Sequence, residues 1–178
     1  MLATTSTLIL VALLTWAVVV YNLLVRDRNR VAAAWSDIDV QLKRRHDLIP
    51  KLVDSVRAYA GYEQATLARV TELRERGRSI ETAAERGRLE GLLGLQLQRL
   101  FVLAEAYPDL QASQAFLDLQ SNVSEVESEL QHARRYYNGA VRNLNIRIDS
   151  FPDLLVARLF GYRHAEYFEL DDAAERHG

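Results

Sequence analysis

VAAAWSDIDVQLKRRHDLIPKLVDSV, residues 31–56, decides the fold class. Steps of four and three residues from Val31 land on Trp35, Ile38, Leu42, Arg45, Ile49, Leu52 and Val56. The same count continues to Tyr59, Glu63, Thr66, Val70 and Leu73, and ten of these thirteen positions are apolar. Such spacing draws one narrow stripe along an α-helix, whereas a strand would alternate at every second residue. The stripe keeps its register through Pro50, which has no N–H to offer the carbonyl of His46. Two readings of that proline stand. Either the helix kinks and continues, which the unbroken register favours, or it breaks, with Asp47 capping a new helix and Pro50 in its first turn.

Downstream, Gly77-Arg78-Ser79-Ile80-Glu81 ends this segment, and Thr82-Ala83-Ala84-Glu85 reads as a capping box opening the next helix. That helix carries a broad apolar face of Leu89, Leu92, Leu93, Leu97, Leu100, Phe101 and Ala104, with Gly87, Gly91 and Gly94 open to a close neighbour. Tyr107-Pro108-Asp109 stops it. Ser113 is a fair cap for the longest regular stretch, which runs to about Ser150 with the seam Phe116, Leu119, Val123, Val126, Leu130, Ala133, Tyr137, Ala140 and Leu144. Pro152 ends it, before a short apolar segment, Leu154 to Tyr162, and an acidic end. Long helices joined by short turns pack as antiparallel neighbours, so the expected fold is all-α: an up-and-down bundle of three helices, or four if the chain reverses at Pro50.

Upstream of the bundle no charged side chain occurs before Arg26. Leu2 to Leu24 would span roughly 35 Å as a helix, enough for a hydrocarbon core of about 30 Å. A cleaved signal peptide is the rival, but no Lys or Arg precedes the run, and Val18-Val19-Val20 continues past Ala17, the one suitable small residue. Residues 1–25 are therefore expected to be a transmembrane anchor, 26–165 the bundle, and 166–178 an acidic, flexible tail. Arg26, Arg28 and Arg30 follow the span, so an external amino terminus and a cytoplasmic bundle are expected. A kink at Pro50 would carry Leu154–Tyr162 away from that membrane, and a break would return it.

Composition excludes several chemistries. The 178 residues contain no cysteine, which removes disulfides, thiolate metal sites and thiol catalysis. A net charge of −2 gives no reason to expect a nucleic-acid partner. Glu129-Leu130-Gln131-His132 is an E-x-x-H motif, but a carboxylate-bridged di-metal bundle needs two of them, and a solvated pair one turn apart is the simpler reading. No zinc-protease, phosphate-loop, dinucleotide or nucleophile-elbow motif occurs. The basic clusters Lys43-Arg44-Arg45, Arg74–Arg78 and Arg86–Arg88 are interspersed with acids, as surface ion pairs would be. Asp39, Arg44, Arg45 and Asp47 form the one local acid–base group worth testing. Asp39, Gln41, Asn138 and Asn145 lie where a buried polar group would fix helix register. Trp35 and Tyr136-Tyr137 read as packing. No catalytic, cofactor-binding or metal-binding residue is assigned, no cofactor is expected, and no small-molecule substrate is evident.

The sequence resembles the LemA family of bacterial membrane-anchored proteins. The resemblance rests on Ala34-Trp35, Ile38-Asp39-Val40-Gln41-Leu42-Lys43-Arg44-Arg45 and Asp47-Leu48-Ile49-Pro50. It resumes at Glu105-Ala106-Tyr107-Pro108-Asp109-Leu110, Tyr137-Asn138, Phe151-Pro152 and Phe160-Gly161-Tyr162. Lys51 departs from the family's usual Asn, and Ser113-Gln114 from an Asn-containing stretch. The resemblance implies a four-helix bundle behind one transmembrane helix, which favours the broken reading over the kinked one. It brings no enzymatic activity, cofactor or catalytic residue. A relative takes part in magnetosome membrane formation, and family genes often neighbour membrane quality-control proteases. The expected role is a non-enzymatic scaffold acting on itself or on a membrane-protein partner, with an adaptor of a membrane metalloprotease or envelope-stress pathway as the alternative.

Overall fold

A computed structural model describes residues 2–60, 63–80 and 82–169. All regular structure among them is helical: α1 (Leu2–Arg57), α2 (Gln64–Gly77), α3 (Ala83–Ala104), α4 (Pro108–Gln111), α5 (Gln114–Asp149) and α6 (Asp153–Leu159). The chain divides into two compact units, the residues up to Ser36 with Tyr136–Ala165, and Asp37–Arg135 with the chain from Glu166 on.

In the second unit the expected stripe is the core. Ile38, Leu42, Arg45, Ile49, Leu52 and Val56 are all buried on α1. Ile49, Leu52 and Val56 meet Leu67, Val70 and Leu73 of α2, Leu89, Leu93, Leu97 and Leu100 of α3, and Phe116 and Val123 of α5 in an apolar core. Thr82 caps α3 as its sequence suggests, its hydroxyl accepting from the Glu85 N–H at 3.3 Å. Four helices thus enclose this core, but the fourth does not come from Pro50. α1 runs through the proline and stops at Arg57, and α2 begins at Gln64. The single helix expected from Val31 to Leu73 is two. Its stripe fails where Tyr59, at 47% exposure, sits in the turn, because the next two stripe positions, Glu63 and Thr66, have little to bury.

Continuity through Pro50 has a local cause. The proline leaves the His46 carbonyl without its helical donor, and Arg74 of α2 supplies one, its Nε donating at 2.8 Å. A charged donor to a buried acceptor contributes about 1.5–3 kcal/mol. Arg74→Met is expected to cost that much in the natural chain. It should cost less than about 1 kcal/mol in a Pro50→Ala background, whose restored N–H takes the carbonyl. Thermal unfolding of the four variants measures the coupling, and equal costs in both backgrounds would refute it.

In the other unit, the first part of α1 is apolar and long enough to cross a membrane. Leu8, Ile9, Leu10, Val11, Leu13, Leu14, Val18 and Val19 are exposed on it, whereas Val20 and Leu24 are buried against Leu144, Ile148, Val156 and Ala157. Leu154–Tyr162 therefore lies beside the apolar run although Pro50 does not break α1. The chain reverses after Arg57, where a break at Pro50 would have placed the reversal seven residues earlier. Just past the apolar run, the buried Asp27 accepts from Arg147 Nε at 2.7 Å, and Arg147 Nη1 reaches Asp153 at 3.0 Å. The bond to Asp27 holds the Arg147 guanidinium above its ordinary pKa. Trp35 meets Tyr137 with ring centroids 5.4 Å apart.

The flexible tail expected from residue 166 needs a correction. Phe168 is fully buried in the second unit, and the Glu169 backbone lies against Gly87 of α3. A buried aromatic ring holds this stretch down. The acidic residues 170–178 lie outside the described residues.

Candidate functional site

α1, α3 and α5 contribute one buried polar cluster to the second unit. Arg45 and His46 are adjacent on α1, Glu90 is on α3 and Glu127 on α5. Arg45 and Glu90 are essentially inaccessible to solvent, and His46 is buried. Arg45 Nη1 donates to Glu90 Oε2 at 3.0 Å and to the Glu90 carbonyl at 3.1 Å. His46 Nε2 donates to Glu90 Oε1 at 2.8 Å, so both carboxylate oxygens are engaged. Arg45 Nε stands 2.8 Å from Glu127 Oε1 as an ion pair. Neither of those two atoms, nor Arg45 Nη2, has a well-directed hydrogen bond. Two glycines make room for the charges. A Cβ on Gly77 would stand 2.9 Å from Glu90 Oε1, and one on Gly94 3.0 Å from Arg45 Nη2.

Charges taken out of water must be paired and hydrogen-bonded, and Glu90 meets that demand for both α1 side chains. Glu127 is the member nearest solvent, with its side chain 34% exposed. Burial pushes its carboxyl above the ordinary range, Arg45 pulls it down, and Glu90 adds a further push upward. A cavity of about 250 Å³ adjoins the cluster, lined by Arg45, Glu90, Glu127, Gly91, Gly94 and Phe101 among others. That volume is at or below the small end for ligand pockets. Its lining includes no hydroxyl or thiol side chain, so the titratable groups on the wall are Arg45, Glu90 and Glu127 alone. A raised carboxyl beside a cavity is a recognised sign of acid–base chemistry, and structural ion-pair networks produce the same sign. Saturation of Glu90 by two partners on one helix fits the second origin: the cluster fixes the register of α1 against α3 and α5.

The acid–base group expected from the sequence is not brought together. Arg45 enters the buried cluster, whereas Asp39 pairs with Arg86 at 2.9 Å, Arg44 with Glu125 at 3.6 Å, and Asp47 is exposed. Glu129 and His132 are exposed, and His132 Nδ1 contacts Arg135 at 2.7 Å. Among the described residues no three His, Asp or Glu side chains are grouped to hold a metal ion. In the basic turn Arg76 pairs with Glu72 at 3.7 Å and Arg78 with Glu75 at 4.0 Å. Of the polar residues on the helix seams, Asn145 forms two bonds with the Ala165 backbone, at 3.0 and 2.9 Å. Gln41 accepts from Arg44 at 3.4 Å.

Sequence reasoning missed Glu90, yet a signal for it exists. Steps of three and four from Glu90 reach Leu93, Leu97, Leu100 and Ala104, all buried. Glu90 therefore occupies an apolar row of α3, as Arg45 does on α1. Two opposite charges in two facing apolar rows announce a buried pair.

A model of the LemA family matches residues 34–177. Protein LemA of Metamycoplasma hominis is 28% identical over 159 residues, covering 85% of this chain and 69% of that protein. Magnetosome protein MamQ 2 of Paramagnetospirillum magneticum and Magnetosome protein MamQ of Magnetospirillum gryphiswaldense are each 24% identical over 196 residues. Those alignments cover 96% of this chain and 72% of each relative.

Proposed function

The chain belongs to the LemA family, and on that premise we propose that it is a membrane-anchored assembly protein without enzymatic activity, whose bundle pairs with a second copy along the outer face of α3. The observation that carries this reading is a row of exposed apolar side chains, Leu92, Leu95 and Val102, with Arg99 at the remaining step. Steps of three, four and three are those of a helix–helix seam, and a row of this kind facing water is a ready contact for another helix. Anchoring of both copies in one membrane raises their effective concentration, so even a short seam suffices. The three arginines after the apolar run support an external amino terminus and a cytoplasmic bundle, and the bacterial relatives support the bacterial inner membrane as their location. The similarity to magnetosome proteins supports a role at a membrane surface.

Native mass spectrometry of the full chain, gently extracted from its own membrane, tests the proposal. A ladder of identical subunits is expected, collapsing to monomer in Leu92→Glu/Leu95→Glu/Val102→Glu. A monomer at cellular concentration would overturn self-assembly. A fixed second protein would overturn it too, and would make the chain an adaptor, for instance of a membrane protease.

A further inference from the structure

We infer that α6 and the turn before it form a second, non-spanning membrane element, seated at the bilayer interface alongside the last turns of the anchor. This rests on the reading of the amino-terminal part of α1 as a membrane anchor. The argument begins with level. Tyr21 and Phe160 pack with ring centroids 4.7 Å apart, tilted by 51°. Val20 and Leu24 are buried by Val156 and Ala157 of α6 and by Leu144 and Ile148 of α5, with Trp16 and Ala17 packed on the same cluster. Residues 16 to 24 span about 12 Å of helix axis and all belong to the uncharged run that ends before Arg26. A bilayer that holds this run reaches α6 as well.

Two polar ties fix how α6 lies. Asp153, its first residue, shares Arg147 with Asp27, so that end sits at the level of the first acid after the apolar run. Phe160, directly after the other end, sits at the level of Tyr21. The helix therefore lies across the boundary between the last apolar turn of α1 and its first charged one. Gly161, at φ 69°, then turns the chain in the left-handed region, and Asn145 clasps Ala165 with two bonds.

The outward face is apolar. Phe151, Leu155 and Leu159 follow one another at four-residue steps and are 78%, 53% and 79% exposed, and Phe160 is 56% exposed. Large apolar side chains exposed at this level, with basic residues beside them, suit the boundary between acyl chains and headgroups. Arg28, past the uncharged run, and Arg163, which lines a pocket with it, are exposed and supply cations for lipid phosphates. The occupant is the lipid bilayer, because the buried side of α6 packs on Val20 and Leu24, inside the uncharged run that the bilayer would hold.

The chain has no native cysteine, so single spin labels can be placed cleanly. Full-length protein carrying Leu159→Cys, Phe151→Cys, Val11→Cys or Glu129→Cys is reconstituted in vesicles of phosphatidylcholine and phosphatidylglycerol. Collisions with oxygen and with a water-soluble nickel chelate are then compared. Labels at 159 and 151 are expected to favour oxygen several-fold relative to the label at 129, and the label at 11 to favour it most. Labels at 159 and 151 as open to nickel as the one at 129, with 11 protected, would overturn the interfacial helix and leave the anchor standing. Nickel access at 11 as well would overturn both.

Discussion

Glu90→Ala lowers the unfolding temperature of the detergent-solubilised chain by about 6–20 °C, corresponding to a loss of about 3–5 kcal/mol. The residue is fully buried and serves two donors, Arg45 Nη1 and His46 Nε2, from consecutive positions of α1. Alanine removes the acceptor and leaves a guanidinium that is 1% exposed, with the Glu90 backbone carbonyl and the Glu127 ion pair as its remaining contacts. Most of the loss is the cost of that under-compensated cation, so it should shrink when the cation is removed too. Arg45→Met combined with Glu90→Leu is expected to cost less than Glu90→Ala alone, since two apolar residues at these positions extend the rows that already carry Leu42 and Ile49 on α1 and Leu93 and Leu97 on α3. Circular dichroism melts of the three proteins decide the matter. A Glu90→Ala cost below about 1 kcal/mol would mean that the cluster is solvated and does not hold α1 against α3.

What was legible in the sequence follows the same physics. Apolar periodicity reports burial along one helix, so the α1 stripe and most of the α5 seam could be read from spacing alone. Buried Phe116, Val123, Val126, Leu130, Tyr137 and Leu144 lie where that seam puts them. Periodicity is blind to a turn that happens to preserve the count, and the turn after Arg57 does so, bringing Val70 and Leu73 back into register on a different helix. Pro50 misleads for a different reason. Whether a proline breaks a helix depends on who satisfies the carbonyl it orphans, and that donor, Arg74, is 28 residues further along the chain. The polar cluster was half legible. Arg45 stands openly in an apolar row, but its partner sits among leucines and glycines, where a lone acid is easily taken for a surface residue. The glycines themselves announce close approach without naming what approaches: backbone at Gly87, a guanidinium at Gly94.

Gly87 carries the second large effect, and its sign depends on Phe168. A Cβ at residue 87 would lie 2.9 Å from both the carbonyl carbon and the nitrogen of Glu169, and closer still to the carbonyl oxygen. Backbone on one side and a helix on the other cannot yield as a flexible side chain would. In Gly87→Ala the segment after Ala165 has to lift off α3, and Phe168, at 0% exposure, comes out with it. Losing a buried phenylalanine costs about 3–5 kcal/mol. Phe168→Ala is expected to cost that amount directly, and Gly87→Ala to approach it, with faster tryptic cleavage after Arg163 as the local signature. In the Phe168→Ala background the segment is already loosened, so the clash at residue 87 is relieved cheaply. There the higher helix propensity of alanine, about 1 kcal/mol over glycine, decides the sign. The same substitution that destabilises the natural chain is then expected to be neutral or stabilising. Losses that simply add in the double variant would mean that Gly87 and Phe168 act independently, and that the carboxyl-terminal segment is not held on α3 by its phenylalanine.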